Sequence, residues 1–262
     1  MSKKTTELER RFASTEPEEE SGKMSFLEHL DELRKRLVHI AAYLFGGFAV
    51  CLFFSKPIYH FISLPLTRIL PNEKLIFTKL TSPFTLYMKV AFLGGIFLTI
   101  PLTLYEIWKF IAPGLYRKEK RFVVPFLFFS VILFVLGAAF CYYLVLPRAY
   151  EFLINLGSDF DAMIDIKEYL DLTNMMILGF GIMFEMPVLA AFLSMFGLVS
   201  AKFLLKKFKY AILVITILAA VLSPTPDALN LMVWTVPMIF LYVISIGVAA
   251  LFEFRRKRKQ SE

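Results

Sequence analysis

Apolar residues fall along this chain in long blocks separated by short polar stretches, without the close alternation of a soluble fold. Six runs stand out: Leu37–Phe54, Val90–Trp108, Phe122–Leu146, Leu172–Val199, Tyr210–Leu222 and Ala228–Phe252. At about 1.5 Å per residue, a hydrocarbon core of about 30 Å needs about 20 helical residues. Five of the runs meet or approach that length. The fifth covers only about 20 Å and leads into Ser223-Pro224-Thr225-Pro226-Asp227, which cannot continue a helix. Residues 210–252 should therefore form a tight helical hairpin with one short arm. The pattern predicts an all-α polytopic membrane bundle with six transmembrane helices.

The segments outside these runs divide the chain. Residues 1–23 are hydrophilic, with Glu16, Glu18, Glu19 and Glu20 in an acidic cluster, and read as a disordered tail. Residues 24–252 form the membrane domain, and 253–262 a basic tail. Ser25, with Glu28 three residues on, makes a capping box that opens a helix. Phe26, Leu30, Leu33 and Leu37 then share one face and Glu28, Glu32 and Arg36 another. This amphipathic stretch is expected to lie along the membrane surface and run into the first span.

Charge orients the bundle. Seventeen lysines and arginines collect on one side, at 34–36, 109–121, 202–209 and 255–259, against seven on the other. The excess places the first side and both termini in the cytoplasm. Composition agrees with a bilayer as solvent, since 58% of the 262 residues are hydrophobic and the mean hydropathy is +0.65. The net charge of +7 sits in short inter-span loops with no nucleic-acid module, so it reads as topology and not as nucleic-acid binding. Cys51 and Cys141 lie inside apolar runs as free thiols. His29, His39 and His60 share no metal-site spacing, so no metal and no cofactor are expected.

Glu185 has no charged neighbour for a dozen residues on either side. A central acid in a span costs roughly 2.5–3.5 kcal/mol, and such residues usually face a bundle interior or a wet cavity. Burial favours its neutral form. One reading makes it a buried protonated acid bonded to a neighbouring helix. A second makes it the coupling site of a proton- or ion-coupled secondary transporter, which needs another ionisable residue at that depth; the sequence shows none. Paired aspartates, HExxH and buried Ser/His arrangements are also absent, so an enzyme is not expected.

Residues 101–115, Pro-Leu-Thr-Leu-Tyr-Glu-Ile-Trp-Lys-Phe-Ile-Ala-Pro-Gly-Leu, closely resemble the signature of the TatC family, the multispanning receptor subunit of the twin-arginine protein translocase. His29 to Arg36 (His-Leu-Asp-Glu-Leu-Arg-Lys-Arg), Pro65, Ser82-Pro83-Phe84, Phe184-Glu185-Met186-Pro187 and Pro226-Asp227 look like family landmarks in the right order. The resemblance implies a glove-like concave bundle in the cell inner membrane that binds twin-arginine signal peptides of folded cargo. It also implies recruitment of single-span TatA/TatB-type subunits, self-association in a receptor complex, contact with membrane lipid and drive by the protonmotive force.

By motif position the resemblance assigns signal-peptide binding to Glu32 and Glu119, with Arg34 and Phe110 beside them. Two carboxylates in basic surroundings match paired guanidinium groups; alternatively Glu32 only pairs with Arg36 at i+4. Glu106 departs from the glutamine common in relatives and could be a carboxylate snorkelling to the interface. Glu185 is implied as a polar spot in the concave cavity. Partner-helix contact is assigned to Val221, Asn230 and Val233, with Leu231 at the usual polar position. Pro65 and Asp227 are outer-loop structural landmarks.

Overall fold

A computed structural model describes residues 26–70, 75–111, 123–160, 163–222 and 228–260. They form a helical bundle: α1 Phe26–Phe53, α2 Ser55–Thr67, α3 Ser82–Ile111, α4 Val123–Phe140, a π turn Cys141–Val145, α5 Leu146–Leu156, α6 Ile166–Met183, α7 Met186–Met195, α8 Ala201–Lys206, α9 Phe208–Leu222 and α10 Ala228–Gln260. Five helical stretches are long and apolar enough to cross a membrane: Leu27–Phe53, Ser82–Ile111, Val124–Leu156, Ile166–Met195 and Leu231–Phe254, with Phe208–Val221 as a shorter sixth. The six-helix bundle expected from the runs is present. At 15 residues, α9 is about 22 Å long and remains the short arm of the hairpin.

The helices extend past their apolar runs. α1 is continuous from Phe26, so the amphipathic stretch is the first turns of the span and not a separate surface helix. α3 begins at Ser82, eight residues before its run. The third span continues through the π turn to Leu156. The fourth is broken: α6 ends at Met183, Glu185 occupies the position before α7, and Pro187 sits in the first turn of α7, where its missing N–H costs nothing. Gly197, at φ 73°, ends α7 in the left-handed conformation that glycine adopts without penalty. Residues 1–25, which hold the tail and Ser25, lie outside the described residues.

Between lipid-solvated helices, association depends on close packing instead of water exclusion, and small residues permit it. α1 packs chiefly against α3. A Cβ added at Gly47 would lie 2.9 Å from the Gly95 carbonyl oxygen, and one at Gly95 would lie 2.7 Å from the Phe48 nitrogen. The two helices therefore meet at backbone distance. The main core lies between α2, α3, the π turn, α5, α6 and α10, with Trp234, Phe180, Leu146 and Leu170 fully buried. A second core gathers Trp108, Phe126, Phe134, Val188 and Phe192.

At the α2 end two loops, those before α3 and before α6, are tied together. Ile76 pairs with Asp165 in an isolated bridge, and Thr78 donates to the Asp165 carboxylate from its backbone N–H at 3.1 Å and its hydroxyl at 2.8 Å. The same carboxylate caps α6 by accepting from Lys167 N–H at 2.8 Å. The Lys167 N–H first, and the Thr78 hydroxyl after it, hold this carboxyl below the ordinary aspartate value of 3.8. Its folded pKa is depressed, so the tie is complete above pH 3.8 and is lost only as pH falls through the lower folded value. Pro65, expected as a loop landmark, is buried inside α2, a helix absent from the sequence reading.

Candidate functional site

Eleven residues separate Arg36 from Gly47 on α1, and eleven separate Gly95 from Glu106 on α3. The antiparallel register that sets the two glycines together, three turns away, thus sets Arg36 opposite Glu106. Arg36 Nη1 donates to Glu106 Oε2 at 2.6 Å, and its Nε donates to Glu32 Oε1 at 2.8 Å; Nη2 bonds the same Glu32 oxygen. One guanidinium is thereby clasped by two carboxylates from different helices. Tyr43 donates to Glu106 Oε1 at 3.4 Å and His39 Nδ1 lies 3.7 Å from Oε2.

The cluster is shielded. The Glu106 side chain is 4% exposed, against 17% for Glu32 and 15% for Arg36. Glu106 therefore does not snorkel to the interface; it is buried against α1, which only its ion pair makes tolerable. Next to it His29 stacks on Phe110, ring centres 4.5 Å apart and 25° between planes. Lys109 Nζ sits 4.9 Å over the Tyr105 ring.

Of the residues assigned from motifs, the structure brings together Glu32 and, through His29, Phe110. Arg34 is exposed on another face of α1, among Leu30, Leu33, Leu37 and Val38, since positions i and i+2 do not face each other on a helix. Glu119 and Asp227 lie outside the described residues. Asn230 lies in α10, its side chain undescribed. Val221 is 72% exposed near the end of α9, whereas Val233 is half-buried against the main core.

Glu185 is half-buried at the break between α6 and α7. Ser130 of α4 lies beside its carboxyl and accepts from Trp108 Nε1 at 3.2 Å. Its Oε1 is buried without a hydrogen-bond partner. Among the described residues no ionisable group perturbs it. It therefore faces a neighbouring helix with one oxygen unused. No group of three or more His, Cys, Asp or Glu that could hold a metal occurs among the described residues.

The fold has known counterparts. The sequence profile described as Sec-independent protein translocase protein (TatC) matches residues 28–237. The chain belongs to the TatC family. It is similar to the Sec-independent protein translocase protein TatC of Koribacter versatilis, 46% identical over 91% of this chain and 90% of that one. The TatC of Desulforapulum autotrophicum is 39% identical over 93% and 90%, and TatCy of Bacillus subtilis 37% over 91% and 93%. A crystal structure described as the twin arginine translocase receptor TatC superposes with a TM-score of 0.78, at 32% identity, covering 86% of this chain and 99% of the other. The chain is thus a membrane component of the Sec-independent translocase, and its family is not an enzyme family.

Proposed function

We propose that the Glu32–Arg36–Glu106 cluster receives the paired arginines of a twin-arginine signal peptide. One observation carries this: the site already holds a guanidinium between two carboxylates, in the geometry a ligand arginine would need. Arg36 stands where that arginine would bind. On docking, the ligand takes Glu32, and Arg36 keeps Glu106, so neither charge is left buried alone. Glu119 supplies a second carboxylate, and Phe110 with His29 offers an aromatic face for a planar guanidinium. Arg34, on the outward face, meets lipid phosphate instead of the peptide.

The same reading places both termini in the cytoplasm of an inner-membrane protein and couples transport to the protonmotive force. Single-span TatA/TatB-type helices are proposed to cover the exposed side of the C-terminal hairpin, around Val221, Met232 and Val236, where the short α9 leaves the bilayer thin. Asn230 lies in the first turn of α10, and self-association would use neighbouring surfaces. The ion-coupled transporter alternative needs an ionisable partner for Glu185, and among the described residues none supplies one.

The test is binding of a labelled twin-arginine peptide to purified protein, beside a twin-lysine version. Lysine lacks the bidentate fork, so its affinity should be lower by roughly tenfold, the equivalent of about 1.4 kcal/mol. Glu106→Gln should weaken the arginine peptide by a similar factor, because Arg36 then has Glu32 as its one full counter-charge and competes with the ligand. Arg36→Gln with Glu106→Gln should restore it. Equal affinity for both peptides would refute the assignment. Normal binding by Glu106→Gln would refute the exchange alone.

The shared register makes a further prediction. Gly95→Val drives a side chain into the α1 backbone, costing about 1–3 kcal/mol of stability. It should also separate Arg36 from Glu106, three turns away. Thermal unfolding and peptide binding should both fall, and a Gly95→Val protein that binds normally would uncouple the packing from the site.

A further inference from the structure

A second ion pair crosses the bundle far from the site above. Lys89 of α3 bonds Asp171 of α6, with the two side chains 35% and 45% exposed. They border a cleft of about 440 Å³ among α1, α3 and α6, floored by Phe48, Phe92 and Leu178. Asn174, one turn from Asp171, also borders it, and its Oδ1 is buried with no hydrogen-bond partner.

Depth decides what can enter. α3 has 30 residues and spans about 45 Å, the thickness of a bilayer including its polar layers. Lys89 lies seven residues below the start of α3 and Asp171 five below the start of α6, about 10 Å and 8 Å down. That is the boundary between headgroup and hydrocarbon. A half-exposed ion pair there is not solvated by acyl chains, and one bond leaves most of its polar capacity unused. Lys89 has further N–H donors for an anion. Asp171 keeps a second oxygen, and Asn174 an amide oxygen, for a cationic donor. Below them the cleft is apolar.

We propose that this cleft binds one zwitterionic phospholipid with a primary ammonium headgroup, of the phosphatidylethanolamine class. Its phosphate accepts from Lys89 Nζ, its ammonium donates to Asp171 and Asn174 Oδ1, and an acyl chain lies over Phe92 and Leu178. A trimethylated headgroup has the same charges but no N–H, so it cannot satisfy the two acceptors. A glycerol headgroup offers phosphate and hydroxyls without the cation. The site is built for both charges of the lipid at once.

The test is native mass spectrometry of the full chain with ethanolamine, choline and glycerol phospholipids of identical acyl chains. One ethanolamine lipid should be retained at least fivefold better than its choline counterpart. Asp171→Asn should abolish that discrimination, and Lys89→Met should lower retention of all three lipids. Asn174→Leu deletes no bond in the protein, so it should fold normally and still reduce the preference. A photoreactive residue at Met88, used in membranes, should give lipid adducts. Equal retention of ethanolamine and choline lipids, undiminished preference in Asp171→Asn, or adducts to polypeptide alone would overturn the proposal.

Discussion

Replacing Glu32 by lysine should remove twin-arginine peptide binding almost completely while leaving the bundle folded. The substitution does two things at one position: it deletes the carboxylate offered to the ligand, and it puts a cation beside Arg36. Arg36 still has Glu106, bonded at 2.6 Å, so no buried charge is orphaned and the helices stay paired. The ligand's arginines then meet two cations in place of one clasped guanidinium. Like-charge juxtaposition of this kind costs several kcal/mol. About 4 kcal/mol corresponds to roughly a thousandfold in Kd. Glu32→Gln, which removes charge without inverting it, should lose about 2 kcal/mol. Anisotropy of a labelled peptide measures both, with the melting temperature as the check on folding. A lysine variant that binds within a few-fold of wild type would dismiss Glu32 as a ligand. Glu119→Lys should act in the same direction, and the double variant should show no binding at all.

The second large effect is expected at Glu185, and it separates stability from function. Glu185→Leu removes a half-buried carboxyl with one unpartnered oxygen, so the protein should be as stable as wild type or more stable, by about 1–3 kcal/mol. Ser130 still accepts from Trp108, which limits the damage to the neighbouring helix. Export should nevertheless fall by an order of magnitude, because the half-buried carboxyl is the polar group proposed to meet a passing segment. Glu185→Gln retains the acceptor for Ser130 and adds a fixed donor. It should fold normally and export near the wild-type rate, whereas a proton-coupling residue would be silenced by the same change. Export activity at matched membrane levels, with peptide binding measured alongside, distinguishes these outcomes. Full export by the leucine variant would reduce Glu185 to a structural role.

The six spans were legible because a lipid-facing helix must be apolar nearly all round, and that leaves a signal no loop imitates. Not every end was legible. The Ser25 and Glu28 capping box marked the start of α1 at Phe26, but α3 begins in mixed sequence, where the headgroup layers tolerate charge, so hydropathy places its start eight residues late. α2 was missed because residues 55–67 carry two prolines, although Ile58, Ile62 and Leu66 fall at helical spacing. The π turn leaves no mark in composition.

At the site, only the local half could be read. Glu32 and Arg36 are an i, i+4 pair, visible in any helical reading. The Arg36–Glu106 bond joins residues 70 apart, and no periodicity announces it; the signal that existed was the pair of glycines with matching eleven-residue offsets. The grouping of Arg34 with Glu32 followed motif adjacency and ignored helix geometry, which turns them to different faces. Trp108 and Ser130 joined Glu185 by the same long-range packing, so an acid that looks isolated in sequence has polar company in three dimensions. The Asp165 tie between the loops before α3 and α6 was missed for a related reason, since its Thr78 partner stands 87 residues away.

The broken fourth span bears on how the chain is made. α7, the half that follows Glu185, finds its main packing partner in α10, and Ser194 donates to the Ala249 carbonyl at 2.9 Å. A ribosome releases α7 some fifty residues before that carbonyl exists. Until then the half-span has neither its neighbour nor an acceptor outside its own helix, and it waits in the bilayer with one side open. Chains stopped before residue 249 would carry every family landmark and still leave this half-span unlatched. The span that holds the acid is fourth to be synthesised and last to be finished.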